Sequence, residues 1–204
     1  MFRSFRALLP MVAVAVLSLA ASGLATAKEA EVGKKAPEFS LKDTDGKAHK
    51  LSDWSGKVVV LEWFNPDCPF VKAKHATTKQ MAELYGKYKD QLVWVAINSS
   101  ADGKQGFGLE RNQTARKEYA ISYPILLDPE GTVGKLYGAK TTPHMMVIGT
   151  DGNLLYKGAY DDAGTPGSTP QVNYVDQALR ELLGGKKVTV AETKPYGCSV
   201  KYAG

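Results

Sequence analysis

Val58-Val59-Val60-Leu61-Glu62-Trp63-Phe64-Asn65-Pro66-Asp67-Cys68-Pro69-Phe70-Val71-Lys72 reads as an apolar strand, a short turn, one cysteine and the start of a helix. Pro69 suits the first helical position, where the missing N–H costs nothing. Cys68 then falls at the helix N-cap, where unpaired N–H groups and the positive end of the helix dipole favour a thiolate. The thiolate is the reactive form, and such a setting lowers a cysteine pKa from about 8.5 to about 3.5–7.5. The competing reading is an inert core cysteine. Flanking Asn65, Pro66, Asp67 and Pro69 make a poor core environment and argue against it.

Outward from this stretch, the N-terminus has the form of a targeting segment. Arg3 and Arg6 precede an apolar run from Ala7 to Ala21, and Ala25-Thr26-Ala27 matches a small-x-small cleavage site. The run is short and contains Pro10 and Ser18, which favours cleavage after Ala27 over an uncleaved membrane anchor. Residues 1–27 are therefore expected to be a signal peptide and the mature protein periplasmic or secreted. No cysteine follows the apolar run to carry a lipid. About 177 residues remain, enough for one domain with a substantial core. The net charge of the 204-residue chain is +5, or about +3 without the two leader arginines. That surplus is dispersed, so nucleic acid is not an expected partner. No other stretch is long and apolar enough to span a membrane, so no membrane partner is expected after cleavage. The sequence sets no oligomeric state.

The chain has two cysteines, Cys68 and Cys198. A bond between them would close a loop of about 130 residues, worth roughly 5 kcal/mol as a staple. Whether it forms is open at this level. Alternation from Ala36 to Asp43, a turn at Asp45-Gly46 and a second strand through His49 and Leu51 predict a hairpin. Lys57–Phe64 and Gln91–Ile97 predict buried strands. The apolar spacing from Pro69 to Tyr88 predicts one helix with its lysines, Lys72 and Lys74 among them, in solvent. A helix over Leu109–Tyr119, a strand over Tyr123–Leu127 and a short helix near Val133–Tyr137 follow. His144–Ile148 and Asn153–Tyr160 predict a hairpin, and Asn173–Leu183 a helix ended by Gly184-Gly185. A short strand over Val188–Ala191 precedes Cys198. Trp54, Trp63, Trp94 and Tyr85 read as packing residues, and Asp161-Asp162 as a turn. Alternating strands and helices with a closing hairpin imply a three-layer α/β domain with a mixed sheet.

This pattern resembles the thioredoxin fold, and within it the redoxin branch of AhpC/TSA-like and peroxiredoxin-like proteins. Ala36-Pro37-x-Phe39-x-Leu41-x-Asp43-x-x-Gly46 matches the redoxin opening. Cys68 matches the first cysteine of Cys-x-x-Cys, and Thr142-Pro143 matches the cis-proline loop. The resemblance implies a thioredoxin-like three-layer fold with an N-terminal hairpin extension. The redoxin domain is expected over residues 28–185, with a tail over 186–204 carrying Cys198. It also implies that Glu62, six residues before Cys68, is a buried acid with a raised pKa that moves protons for sulfur chemistry. The alternative places Glu62 at a solvated strand edge. Val71 replaces the second cysteine, and the peroxiredoxin Pro-x-x-x-Thr-x-x-Cys pattern is absent. The chain looks most like the peroxiredoxin-like subgroup that keeps Cys-Pro-Phe-Val-Lys and a C-terminal Gly-Cys.

The expected activity is thiol–disulfide exchange on protein or small-molecule thiols and disulfides. Cys68 would be the nucleophile and Cys198 the resolving thiol, with no cofactor. Thr142 and Pro143 would offer backbone to an extended peptide. The alternatives are peroxide reduction, a non-catalytic binding module, and a copper site drawing on Cys68, Cys198, His144 and His75. His75 lies seven residues along the expected helix, about 10 Å from Cys68 at roughly 1.5 Å per residue. That distance sets it apart from the site.

Overall fold

The computed structural model describes Met1 and residues 29–204, so the leader assigned to residues 1–27, Met1 apart, lies outside the described residues. Strands β1 (Ser40–Asp43) and β2 (Ala48–Lys50) form the expected N-terminal antiparallel hairpin. They flank a sheet whose other strands are β3 (Val58–Trp63), β4 (Leu92–Asn98), β5 (Ile125–Leu127), β7 (His144–Ile148) and β8 (Leu154–Gly158). The order is β2-β1-β5-β4-β3-β7-β8. β3 runs parallel to β4 and antiparallel to β7, which makes the sheet mixed.

The central strand explains its own composition. Every residue of β3 is buried. Val58 and Val60 pack into a layer with Met81, Leu84 and Leu179, while Val59, Leu61 and Trp63 pack into the opposite layer with Val133, Tyr137 and Leu154. A strand covered on both faces favours apolar residues at successive rather than alternate positions, and Glu62 is the one exception in β3. Each such side chain contributes about 1.5–3 kcal/mol of transfer free energy. Helices α2 (Gln80–Tyr88), α3 (Leu109–Glu118) and α5 (Tyr174–Leu183) cover the first face, and α4 (Thr132–Leu136) lies on the second. The three-layer α/β expectation holds.

Two local expectations fail. The single helix over Pro69–Tyr88 is interrupted: α1 (Pro69–Lys72) passes into a π-turn over Ala73–Thr77, and Lys79 takes the left-handed conformation before α2 starts. The Thr78 N–H and hydroxyl both return to the Ala73 carbonyl, at 2.8 and 3.0 Å, which closes the wider turn. Its extra residue carries Lys74 and His75 inward, and both are buried. Lys74 is therefore not a solvating lysine. No strand forms over Val188–Ala191; the segment meets β8 through the bond from Lys157 N–H to the Ala191 carbonyl, beside the Lys157–Glu192 bridge. Beyond it the tail joins the fold. Strand β9 (Cys198–Ser199) pairs antiparallel with β6 (Thr141–Thr142), and Val200 is buried in the second layer.

Candidate active site

Cys68 leaves β3 through a turn that its neighbours fix. The Asn65 side chain accepts from the Asp67 N–H (2.9 Å) and donates to the Gln105 carbonyl (3.0 Å). The Tyr119 hydroxyl donates to the Pro66 carbonyl (2.7 Å), and Arg111 pairs with Asp67 at 2.8 Å. Cys68 is the N-cap of α1, with Pro69 at the first helical position as expected. Its sulfur, however, makes no capping bond to the helix N–H groups. The thiol donates instead to the Thr142 carbonyl at 2.9 Å. The peptide bond between Thr142 and Pro143 is cis, and the loop it shapes meets Cys68.

The second cysteine arrives from 130 positions away in sequence. Pairing of β9 with β6 sets Cys198 opposite Thr142, whose carbonyl accepts from the Cys68 thiol, so the two cysteines meet the same residue and act on each other electrostatically. Both cysteines are free, Cys68 buried and Cys198 partly so. Gly197 makes the approach feasible. Its φ is +133°, and a Cβ there would collide with the Thr142 carbonyl. Burial, then the hydrogen bond and charge of Cys68, push the Cys198 thiol up from its ordinary 9.0 to about 11. Raised that far, Cys198 is a protonated donor at neutral pH. Alkylation of Cys198 in the reduced protein should therefore rise about tenfold per pH unit from pH 7 to about 10, without the plateau of an ordinary thiol. In Cys68→Ala the neighbouring sulfur is lost, so Cys198 titrates lower and labels faster at pH 8. A plateau near pH 8.5 in the parent would contradict the assignment.

Glu62 is fully buried, which removes the solvated-edge alternative. One carboxylate oxygen meets His75 Nε2 at 2.6 Å, and the other accepts from the Tyr123 hydroxyl (3.0 Å) and the Trp94 indole N–H (3.3 Å). None of these bonds leads to Cys68. His75, set aside on the regular-helix distance, is thus the direct partner of Glu62. The sequence signal that could have found it is a histidine facing inward on a helix opposite a strand carboxylate. A second buried pair joins Lys74 to Asp161 at 2.5 Å. Asp161 also accepts from the Tyr196 hydroxyl. Burial and the adjoining carboxylate push the tyrosine well above its usual range, which keeps it a donor.

Of the residues considered for copper, His75 is engaged by Glu62, and His144 accepts the Lys140 N–H at Nδ1 (3.3 Å) while its buried Nε2 has no hydrogen-bond partner among the described residues. His144 is pushed down to about 3 by burial first and then by the charges of Lys157 and Lys140. Among the described residues no three His, Cys, Asp or Glu side chains are grouped to hold a metal.

This geometry has counterparts. Thiol-disulfide oxidoreductase ResA of Bacillus thuringiensis subsp. konkukian (strain 97-27) is 31% identical over 125 residues, which is 61% of this chain and 68% of that protein. The crystal structure of an uncharacterized conserved protein from Geobacillus kaustophilus superposes with a TM-score of 0.74 at 30% identity, covering 85% of this chain and 93% of that one. The pneumococcal exposed lipoprotein thioredoxin Etrx1 from Streptococcus pneumoniae strain TIGR4 shares the fold, with a TM-score of 0.54 at 24% identity over 72% of this chain and 99% of that one. The architecture is thus thioredoxin-like. The Redoxin family model matches residues 31–179, from ahead of the N-terminal hairpin into α5. By that match the chain belongs to the redoxin family and is a homologue of thiol–disulfide oxidoreductases.

Proposed function

We propose that this protein is an exported thiol–disulfide oxidoreductase, with Cys68 as nucleophile and Cys198 as resolving thiol. The observation that carries the reading is the meeting of two free cysteines at Thr142, in the cis-proline loop. The relative named thiol-disulfide oxidoreductase supports the same chemistry. Deprotonated Cys68 attacks one sulfur of a substrate disulfide, forms a mixed disulfide and releases the other half as a thiolate, which takes up a proton. Cys198 then loses its proton and attacks the Cys68 sulfur. A Cys68–Cys198 bond forms and the second substrate thiol leaves. The substrate is reduced by two electrons and the cysteine pair oxidised by two, and an external dithiol reverses the change. Run backwards, the same steps oxidise a substrate dithiol.

Thr142 and Pro143 form the loop that orients the Cys68 sulfur and supplies the strand edge beside it. Glu62, with His75, serves as the buried acid–base group near the pair. Its hydrogen bonds do not reach Cys68, so any proton it exchanges passes through another group. Export rests on the leader-like residues 1–27 and implies a periplasmic or secreted protein. Among the described residues no helix is long and apolar enough to cross a membrane.

The test is the redox state of the two cysteines after alkylation across a glutathione series, read by mass spectrometry. The expected result is a Cys68–Cys198 bond that opens reversibly above about −250 mV. A bond that persists below about −300 mV would make the pair a structural staple. Failure to form any bond would remove the resolving role of Cys198.

A further inference from the structure

Residues 194–199 lie across the site as a strap. Cys198–Ser199 occupy the Thr141–Thr142 edge, the backbone on which an extended substrate would pair. With the strap seated, Cys68 has 0% exposure. A disulfide sulfur must approach the Cys68 sulfur in line, and a fully covered atom offers no such approach. Exchange with an external substrate therefore needs the strap to leave, and resolution needs it to return with Cys198 in register.

Tyr196 is what fastens this strap. Its ring packs on Phe70, at 5.8 Å between centroids, within the helix that Cys68 caps. Its hydroxyl donates to Asp161, whose other oxygen is held by Lys74 at 2.5 Å. Lys74 is itself fixed by Gln80 at 2.9 Å, and neither member of the ion pair is more than 2% exposed. A hydrogen bond to a charged, immobile acceptor is among the stronger single contacts a surface segment can make.

Taking Cys68 and Cys198 as the exchanging pair, we propose that Tyr196 is a positioning residue. By docking on the Lys74–Asp161 pair it seats the 194–199 strap on the Thr141–Thr142 edge, presents Cys198 to Cys68 and shields Cys68 until the strap is displaced. The arrangement raises the effective concentration of Cys198 and gates the nucleophile with one contact.

Tyr196→Phe removes the hydroxyl and keeps the ring, and it tests the assignment in two ways. In a Cys198→Ser background, alkylation of Cys68 by iodoacetamide should accelerate about tenfold when Tyr196→Phe is added. With Cys198 retained, the same change should make the Cys68–Cys198 bond easier to reduce. A tenfold loss of effective concentration is read as about 30 mV. Tyr137→Phe, which removes a hydroxyl bonded to the Pro37 carbonyl, reports the effect of a comparable loss elsewhere. An unchanged alkylation rate and potential in Tyr196→Phe overturns the proposal, and so does an acceleration no larger than that of Tyr137→Phe. The alkylation arm needs no exchange chemistry. Absence of a reversible bond would thus sink the exchange reading alone, whereas unchanged alkylation beside a reversible bond would sink only the role of Tyr196.

Discussion

Cys68→Ser eliminates disulfide exchange down to the uncatalysed background, whereas Cys198→Ser stops it halfway. A serine hydroxyl is neither ionised near neutral pH nor a competent nucleophile toward sulfur without an activating base. Among the described residues, no hydrogen bond gives residue 68 a histidine or carboxylate partner; its side chain donates to the Thr142 carbonyl. Cys198→Ser leaves the first attack intact, so the mixed disulfide on Cys68 accumulates to one equivalent per chain. Its release then depends on external thiol. Turnover should fall by about a hundredfold or more, because an intramolecular thiol acts at an effective concentration far above the millimolar range of an added one. Insulin reduction and intact-mass measurement check both outcomes. Full activity in Cys198→Ser would assign resolution to a partner molecule.

His75→Leu should produce the largest loss of stability of any single change in the site, about 3–5 kcal/mol. The Glu62 carboxylate has no access to solvent. Removing its partner at 2.6 Å leaves a buried charge supported by two neutral donors, Tyr123 and Trp94. Breaking one side of a buried ionic pair costs about that much because desolvation remains while the compensating contact is gone. For a domain of this size the loss corresponds to a fall in Tm of about 6–20 °C. Glu62→Leu combined with His75→Leu removes the charge problem but orphans the Tyr123 hydroxyl and Trp94 N–H, at about 1–3 kcal/mol each. The double variant should thus recover little. Urea unfolding with an unchanged m-value gives the measurement. A loss below about 1 kcal/mol in His75→Leu would mean that the pair contributes little.

Several features of the site could be read from local chemistry. The apolar run of β3, interrupted by Glu62 alone, pointed to a strand covered on both faces, and the proline after Cys68 fixed where the helix begins. Thr142-Pro143 ahead of an apolar strand marked the loop opposite. These are statements about neighbours in the chain, where residue type acts on backbone conformation directly. The π-turn is different, because nothing between Pro69 and Tyr88 forbids a regular helix. It exists because Glu62 and Asp161, from two other parts of the chain, offer buried carboxylates that His75 and Lys74 satisfy when one extra residue turns them inward. An estimate of the His75 position from helical rise assumed regularity that this tertiary pairing overrides.

The same division governs the cysteines. Their number, the position of Cys68 at a strand–helix junction and the glycine before Cys198 were fixed by the sequence itself. That Cys198 faces Cys68 was decided by edge pairing between β9 and β6 and by the docking of Tyr196 on Asp161. Contacts of that kind join segments more than thirty residues apart, as the Tyr196–Asp161 separation of 35 positions shows. Local propensity carries no information about them. Their free energy appears only when the whole core has brought both partners to the same place.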